Sequence, residues 1–301
     1  MVSVLITTQN EESTLPACLA SLQWCDDVHL YDSGSTDATV DIAERAGALV
    51  SVRKPPSSQL SFGGDEAGHR NWALRNIPFK YPWVFSIDAD EQMTEELAHN
   101  VVASSQEPGE HVAFRVRRRD FLDGKWLRHA QATPFYMRLF RPEKVHYHRV
   151  INPPLIADGA VTEVDGYLDH FPFAKGMRHW LDRHNSYSTL EARQIVDDRI
   201  GGTPFSFWSA FYERDFHRRR FHQKELFYRL PFRPALKFAL LYVVKGGFLD
   251  GSAGLTYAVL QSFYEYMIVL KTREISASKQ GRTAPSLQSI DPAASTERPD
   301  R

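Results

Sequence analysis

Four short apolar runs, spaced some 20 to 35 residues apart, constrain this chain more than any other feature. They are Val2 to Thr8, Val28 to Tyr31, Leu49 to Val52 and Trp83 to Ile87. The segments between them read as helices. Thr14 can cap the first, whose opening turn tolerates Pro16 because the N–H missing there would be unpaired anyway. A second runs from about Asp37 to Ala46, and a third from about Glu66 to Asn76, after a Pro-, Ser- and Gly-rich loop. This alternation predicts βαβ units, hence an α/β fold with a Rossmann-like, mostly parallel sheet and flanking helices.

Composition narrows the class. Lys plus Arg is 36 against 37 for Asp plus Glu, a net charge of −1, which argues against coating nucleic acid by bulk charge. A mean hydropathy of −0.39 excludes a polytopic membrane protein, and 24% charged with 12% aromatic residues excludes general disorder. Cys18 and Cys25, on one expected helix, would stand about 10.5 Å apart by helical rise, too far for a disulfide. Met1 leads straight into an apolar strand with no basic stretch before it, so a signal peptide is not expected and a cytosol-facing chain is. Four stretches follow from the pattern: 1–110 and 111–175 as the two halves of a sheet domain, 176–275 as a helical region, and 276–301 as a disordered tail.

In an open α/β sheet, ligands bind beyond the carboxyl ends of the strands. The first end offers Thr7, Thr8, Asn10 and Glu11; the second Asp32, Ser35 and Asp37; the fourth Asp88 and Asp90. No GxGxxG follows the first strand and no GxxxxGK[ST] is present, which sets aside a dinucleotide fold and a P-loop. Asp32 and Asp37 can equally form turns or cap a helix. Asp88-Ala89-Asp90 is the sharper signal. Two carboxylates at the end of one buried strand repel each other unless a cation sits there, and Mg²⁺ commonly joins one or two carboxylates to substrate phosphates.

Val2 to Glu12, then Tyr31-Asp32-Ser33-Gly34-Ser35-Thr36-Asp37, then Asp88-Ala89-Asp90, together resemble a family 2 glycosyltransferase of the GT-A fold over about the first hundred residues. The resemblance implies that Thr7, Asn10 and Glu11 line the nucleotide pocket and that Asp32 accepts a hydrogen bond from the base. It also implies that Asp88 lies near ribose and metal, and that Asp90 holds a Mg²⁺ or Mn²⁺ bridging the diphosphate. Arg70-Asn71 resembles a family position beside the nucleotide sugar, although Arg70 can also be a plain helix-surface charge. Arg138-Leu139-Phe140-Arg141, the stretch up to His170, and Gly247-Phe248-Leu249-Asp250-Gly251 with Gly254-Leu255 resemble bacterial enzymes that build lipopolysaccharide core or exopolysaccharide. Such relatives carry a short acidic motif after the Arg-Leu-Phe segment. This chain reads Val150-Ile151-Asn152-Pro153-Pro154 there, without the glutamate.

Inverting transfer needs a general base within reach of the acceptor hydroxyl. Asp158 is the first candidate, with Glu163, Asp165, His146 and His148 behind it; Asp158-Gly159 also reads as a solvated turn, and His148 as a structural histidine. Arg138 and Arg141 can contact phosphates or pair with Glu143 or Asp120. Scattered histidines without HExxH or CxxC give no zinc site.

Residues 214–224 interleave basic and aromatic side chains, and apolar segments follow from about Pro231. Attraction to anionic lipid head groups fits this better than nucleic acid. Ala235 to Leu249 is too short and too charged to span a bilayer, so these segments are core helices or in-plane membrane helices. The leading expectation is a metal-dependent inverting glycosyltransferase with a nucleotide-diphosphate sugar donor and a saccharide or lipid-linked acceptor. It would be cytoplasmic and peripheral on the cytoplasmic face of the inner membrane. The alternatives are a base-deficient binding or scaffold protein of the same fold, or a nucleotidyltransferase. The latter wants a Gly-rich basic loop after the first strand, and Thr7 to Glu12 has none.

Overall fold

A computed structural model describes residues 1–54, 65–131, 135–148, 154–201, 205–213 and 216–279. The first half delivers the expected alternation: β1 (Ser3–Thr8), α1 (Leu15–Ala20), β2 (Val28–Asp32), α2 (Thr39–Arg45), β3 (Leu49–Val52), α3 (Glu66–Asn76) and β4 (Val84–Asp88). β5 (Glu91–Met93) and α4 (Glu95–Gln106) follow. The strand-rich stretch then supplies β6 (His111–Leu122), β7 (Lys125–Trp126), β8 (Phe135–Phe140), β9 (Val145–Tyr147), β10 (Leu155–Ala157) and β11 (Ala160–His170). The rest is helical: α5 (Gly176–Ile200), α6 (Ser209–Tyr212), α7 (Phe216–Arg229), α8 (Arg233–Ala239) and α9 (Gly251–Lys279).

The sheet runs in the order β3-β2-β1-β4-β8-β6-β11-β5, with β7 against β6, while β9 and β10 form a separate pair. It is mixed. β3, β2, β1 and β4 are parallel, β8 lies antiparallel between β4 and β6, and β11 runs parallel to β6. The two inversions around β8 restore the direction, so β1, β2, β4, β6 and β11 all end at one edge. The sheet also crosses the division expected at residue 110.

Alternation of side chains along a strand explains the layers. Val4 and Ile6 face a core with Leu15, Cys18, Ala43, Leu97 and Val101, so α1, α2 and α4 cover that side. Leu5 faces the other way, into a core with Tyr31, Val84 and Phe140 closed by Ala73 and Leu74 of α3 and by Ile77 just after it. Thr14 stands at the N-cap of α1, but its hydroxyl bonds the Glu11 carboxylate instead of a helix N–H. Cys25 falls beyond the end of α1, and both cysteines are free.

The chain forms two compact units: residues 1–186 with 232–264, and 187–231 with 265–301. The sheet belongs to the first. In the second, Lys224 pairs with Glu191 at 2.8 Å, and the Lys271 ammonium donates to the Ser188 and Thr189 hydroxyls. Of the basic run, residues 214 and 215 lie outside the described residues, as does the tail from 280; α9 stays helical through Lys279, past the expected start of the tail.

Two features should be measurable in stability. Gly166 lies in the bulge of β11 at φ +107°, where an added Cβ would stand 2.7 Å from the Leu97 Cα. Strain and overpacking together should make Gly166→Ala cost at least about 2 kcal/mol in urea unfolding. His69, on α3, is buried against Tyr31 and Ser33. Burial, helped by Arg53 and Arg70, pushes its imidazole down to about 4 from an ordinary 6.5. The folded state therefore favours the neutral ring. About 3 kcal/mol of stability, present above pH 6.5, should be lost as pH falls towards 4. His69→Asn should flatten that slope.

Candidate active site

The strand register sets the site. Thr7 lies opposite Asp88 of β4 and Thr8 opposite Asp32 of β2. Neighbouring side chains leave a strand on opposite faces, so the two hydroxyls diverge. Thr7 Oγ1 donates to Asp88 Oδ1 at 3.0 Å, and Thr8 Oγ1 to Asp32 Oδ1 at 3.1 Å.

Asp32 is fully buried. Its Oδ2 accepts the N–H groups of Gly34 (2.8 Å) and Ser35 (2.7 Å), and its Oδ1 accepts the Thr8 and Ser35 hydroxyls. A carboxylate offers about four acceptor sites, and all are taken. Asp32 thereby holds the 33–35 turn, at the edge where the nucleotide base is expected. Asn10 belongs to the same brace. It adopts φ 55°, a region asparagine tolerates. Its N–H donates to Ser35 Oγ and its Oδ1 accepts the Thr36 N–H, each at 2.8 Å. Asp37 accepts the N–H groups of Thr39 and Glu12, a capping and bracing role. Glu11 Oε1 accepts from the Lys175 ammonium at 2.6 Å; burial nevertheless raises its carboxyl above the usual range.

A charge network starts at the end of β4. Asp88 accepts from Arg138 at 3.1 Å and lies 3.5 Å from an Arg70 nitrogen. Burial would raise its carboxyl, but the two guanidinium groups outweigh it and hold it well below the usual range. Arg138 also reaches Glu91 Oε1 at 2.6 Å, and Glu91 Oε2 accepts the Asp88 N–H at 2.9 Å. Arg118 lies 3.6 Å from Glu91 and 3.0 Å from Asp120. Asp120 in turn accepts from His170 Nδ1, and the opposite ring nitrogen, Nε2, lies 3.4 Å from Asp90 Oδ2. Arg183 stands 3.8 Å from the same oxygen. Burial disfavours the imidazolium of His170, yet Asp90 and Asp120 push it up to about 9.

The structure thus brings Thr7, Glu11, Arg70, Asp88 and Asp90 to one edge. Asn71 is placed beside them but does other work: its amide donates to the Tyr147 carbonyl (2.9 Å) and accepts the Tyr147 N–H (2.8 Å). The Tyr147 ring lies under Arg70, and His148 follows it, exposed, with its N–H donating to the Pro154 carbonyl. Asp158 and Glu163 are not brought in. Both are exposed at the start of β11, and from Glu163 to His170 the strand covers about 23 Å. The base expected at Asp158, with Glu163 as its alternative, lies at the wrong end of the strand. Residues 150–153, where the family glutamate is missing, lie outside the described residues. Arg138 pairs with Asp88 and Glu91, not Glu143 or Asp120, and Arg141 lies over the Trp83 ring. Sequence reasoning missed Glu91, Arg118, Lys175 and Arg183 as members of the site, and left Asp120 and His170 without roles there. Only Glu91 carried a readable signal, as a third acid directly after Asp90.

For a divalent cation, the available donors are Asp90 Oδ2 and His170 Nε2. The Asp120 carboxylate on Nδ1 orients the ring so that Nε2 faces Asp90, the usual support of a metal-ligating histidine, and a cation bound there would displace the Nε2 proton. These groups fit a cation that takes its other ligands from phosphate and water. Among the described residues no three His, Cys, Asp or Glu side chains converge on one point. Asp88, also expected as a metal ligand, has its oxygens on Arg138, Arg70 and Thr7.

Residues 3–171 match the model of glycosyl transferase family 2. The chain is 28% identical over 286 residues to the lipopolysaccharide core biosynthesis glycosyltransferase LpsC of Rhizobium meliloti, covering 92% of this chain and 94% of the relative. An uncharacterized glycosyltransferase of Rickettsia typhi is 22% identical over 289 residues, covering 91% and 87%. Among solved structures, the mannosyltransferase PcManGT from Pyrobaculum calidifontis, in complex with GDP-Man and Mn²⁺, shares the fold with a TM-score of 0.51. It is 16% identical, with 90% of this chain and 86% of that one covered. The family match spans both inversions of the sheet, ends one residue past His170 and covers more than half of the chain, so the chain belongs to glycosyl transferase family 2.

Proposed function

We propose that this chain is an inverting, divalent-cation-dependent glycosyltransferase using a nucleotide-diphosphate sugar. Its acceptor is a saccharide of lipopolysaccharide core or a related surface polysaccharide, carried on lipid at the cytoplasmic face of the inner membrane. The observation that carries the reading is the Asp90–His170 pair set among Arg70, Arg138, Lys175 and Arg183 at the strand ends. A diphosphate is drawn to such a cluster, where guanidinium groups match phosphate geometry. A cation held by Asp90 and His170 would neutralise the charge that develops on the leaving diphosphate. Thr7 and Arg70 fix Asp88, so Asp88 acts as an oriented acceptor beside the donor. Glu11, held by Lys175, closes the same edge. The name of the Rhizobium meliloti relative supports the lipopolysaccharide acceptor.

The lipid side of the reading rests on residues 232–264. Phe232 is 83% exposed and Val244 74%, and Val243, Phe248, Leu249, Leu255, Val259 and Phe263 are exposed as well. Of the charged residues in this stretch, Arg233 and Asp250 are buried, leaving Lys237 and Lys245. An apolar face edged only by cations is what an anionic interface attracts. Among the described residues no single helix is long and apolar enough to cross a membrane; the segments 233–244 and 247–279 reach that composition only together, bent by 70°.

Calorimetry of UDP and GDP, with Mn²⁺ or with chelator, tests the donor side. Wild type should bind one of them at least about tenfold more tightly with Mn²⁺, a difference of about 1.4 kcal/mol. Asp90→Asn should bind equally under both conditions and lose turnover. An unchanged Mn²⁺ gain in that variant would remove the cation from the reading.

Sedimentation with phosphatidylglycerol vesicles tests the lipid side. Wild type should pellet with them more than with phosphatidylcholine and be released by high salt, as screening weakens the attraction. A Val243→Asp, Val244→Asp double variant should stay in solution. Equal partitioning of wild type to both lipids would overturn the anionic-surface reading.

A further inference from the structure

The glycine-rich turn before α9 has no part in the donor site. Gly247 and Gly254 leave no room for side chains: an added Cβ would stand 2.6 Å from the Leu241 carbonyl oxygen at Gly247, and 1.9 Å from the Gly247 carbonyl oxygen at Gly254. Backbone therefore packs on backbone, and Ala130 fills the remaining space, its Cβ 3.2 Å from that position on Gly247. The effect is to press Asp250 against the loop after β7. Asp250 is buried. Its Oδ2 accepts the N–H groups of His129 (2.9 Å) and Ala130 (2.7 Å), and its Oδ1 faces His129 Nδ1 at 2.7 Å. These donors, against the cost of burial, hold its carboxyl below the usual range. An ionised carboxylate only accepts, so Nδ1 donates to Asp250 and Nε2 is the ring nitrogen turned away from it. The His129 side chain is 37% exposed.

A relay of side chains links the segment that carries His129 to the donor carboxylates. Gln131 donates to Asp120, the carboxylate that holds His170 opposite Asp90, and accepts from the Tyr257 hydroxyl. Gln131 is two positions beyond His129, a Cα span of about 7 Å at most. On its other side His129 adjoins Gly246, whose added Cβ would stand 3.9 Å from the His129 Cβ and 3.4 Å from the exposed Leu249. The dyad thus stands between the donor edge and the apolar face of residues 232–264.

We infer that His129, oriented by Asp250, is the general base of the transfer reaction, an inference that rests on the transferase reading above. His129 Nε2 takes the proton of the acceptor hydroxyl. The oxygen lone pair forms the new bond to the anomeric carbon, while the bond from that carbon to the diphosphate oxygen breaks and its electron pair leaves with the nucleoside diphosphate. The imidazolium, stabilised by Asp250, then returns its proton to solvent. This fills the role expected of Asp158, with Glu163 and His148 as its alternatives. Asp250 is a positioning residue.

The test measures nucleotide release from UDP-glucose, UDP-galactose, UDP-N-acetylglucosamine and GDP-mannose, with Mn²⁺ and core-truncated lipopolysaccharide as acceptor. His129→Ala should be slower by about 10²–10⁴-fold, with UDP or GDP affinity unchanged. Added imidazole should raise its rate and leave wild type as it was. His129→Gln, which can still donate to Asp250 but cannot take a proton, should be as slow. A His129→Ala that turns over like wild type overturns the inference. So does an active His129→Gln, because it reduces His129 to a loop anchor. A wild type that releases nucleotide from no donor overturns the transferase reading itself, and this inference with it.

Discussion

A buried carboxylate cannot stand alone, and Glu91 is the one on which this sheet is assembled. It is fully buried. It follows the carboxyl end of β4, yet its partners come from β8 and β6 in the form of Arg138 and Arg118. Removing one partner from such a pair costs about 3–5 kcal/mol, because the other charge stays behind unpaired. The parallel and antiparallel halves of the sheet are therefore bound by charge as well as by strand pairing. The same guanidinium that satisfies Glu91 also holds Asp88, so the donor edge cannot form until β8 has docked.

The carboxylates at this edge differ in how far they are already satisfied. Asp32 is saturated by its own turn and Asp88 by arginines. Asp90 has a histidine at 3.4 Å and an arginine at 3.8 Å, so its nearest charged partner stands farther off than those of Asp88, Glu91 and Asp120. It is therefore the acid with most to gain from a further cation. Identical side chains are sorted into scaffold and site by the donors around them.

The parallel half was legible because its signals are local. Each strand is a short apolar run, each turn carries Gly, Ser or Asp, and the acids fall directly on strand ends. What the sequence concealed is register. Asp120 and His170 meet because β6 and β11 pair those two residues across fifty positions, and no spacing rule reports such a pairing. The bracing of Asp32 was concealed for a related reason: a sequence shows an acid at a strand end but not how many donors its own turn supplies. Asp158 looked close to the site because it follows the Arg-Leu-Phe strand in the chain. Direction along β11 places it at the opposite edge. His129 drew no attention because its partner lies 121 residues away.

The amide of Asn71 deserves to be read as a piece of backbone. By pairing with both the N–H and the carbonyl of Tyr147, it imitates the edge of a strand for a two-stranded hairpin that touches no other. Hairpins of that size are marginal by themselves in water. Apolar packing does the rest: Val145 is buried in the core that holds Leu5 and Phe140, and Tyr147, Leu155 and Ala157 pack against it. The hairpin is thus seated by an apolar contact and a polar one, and the polar one lies a single residue from the arginine that faces Asp88.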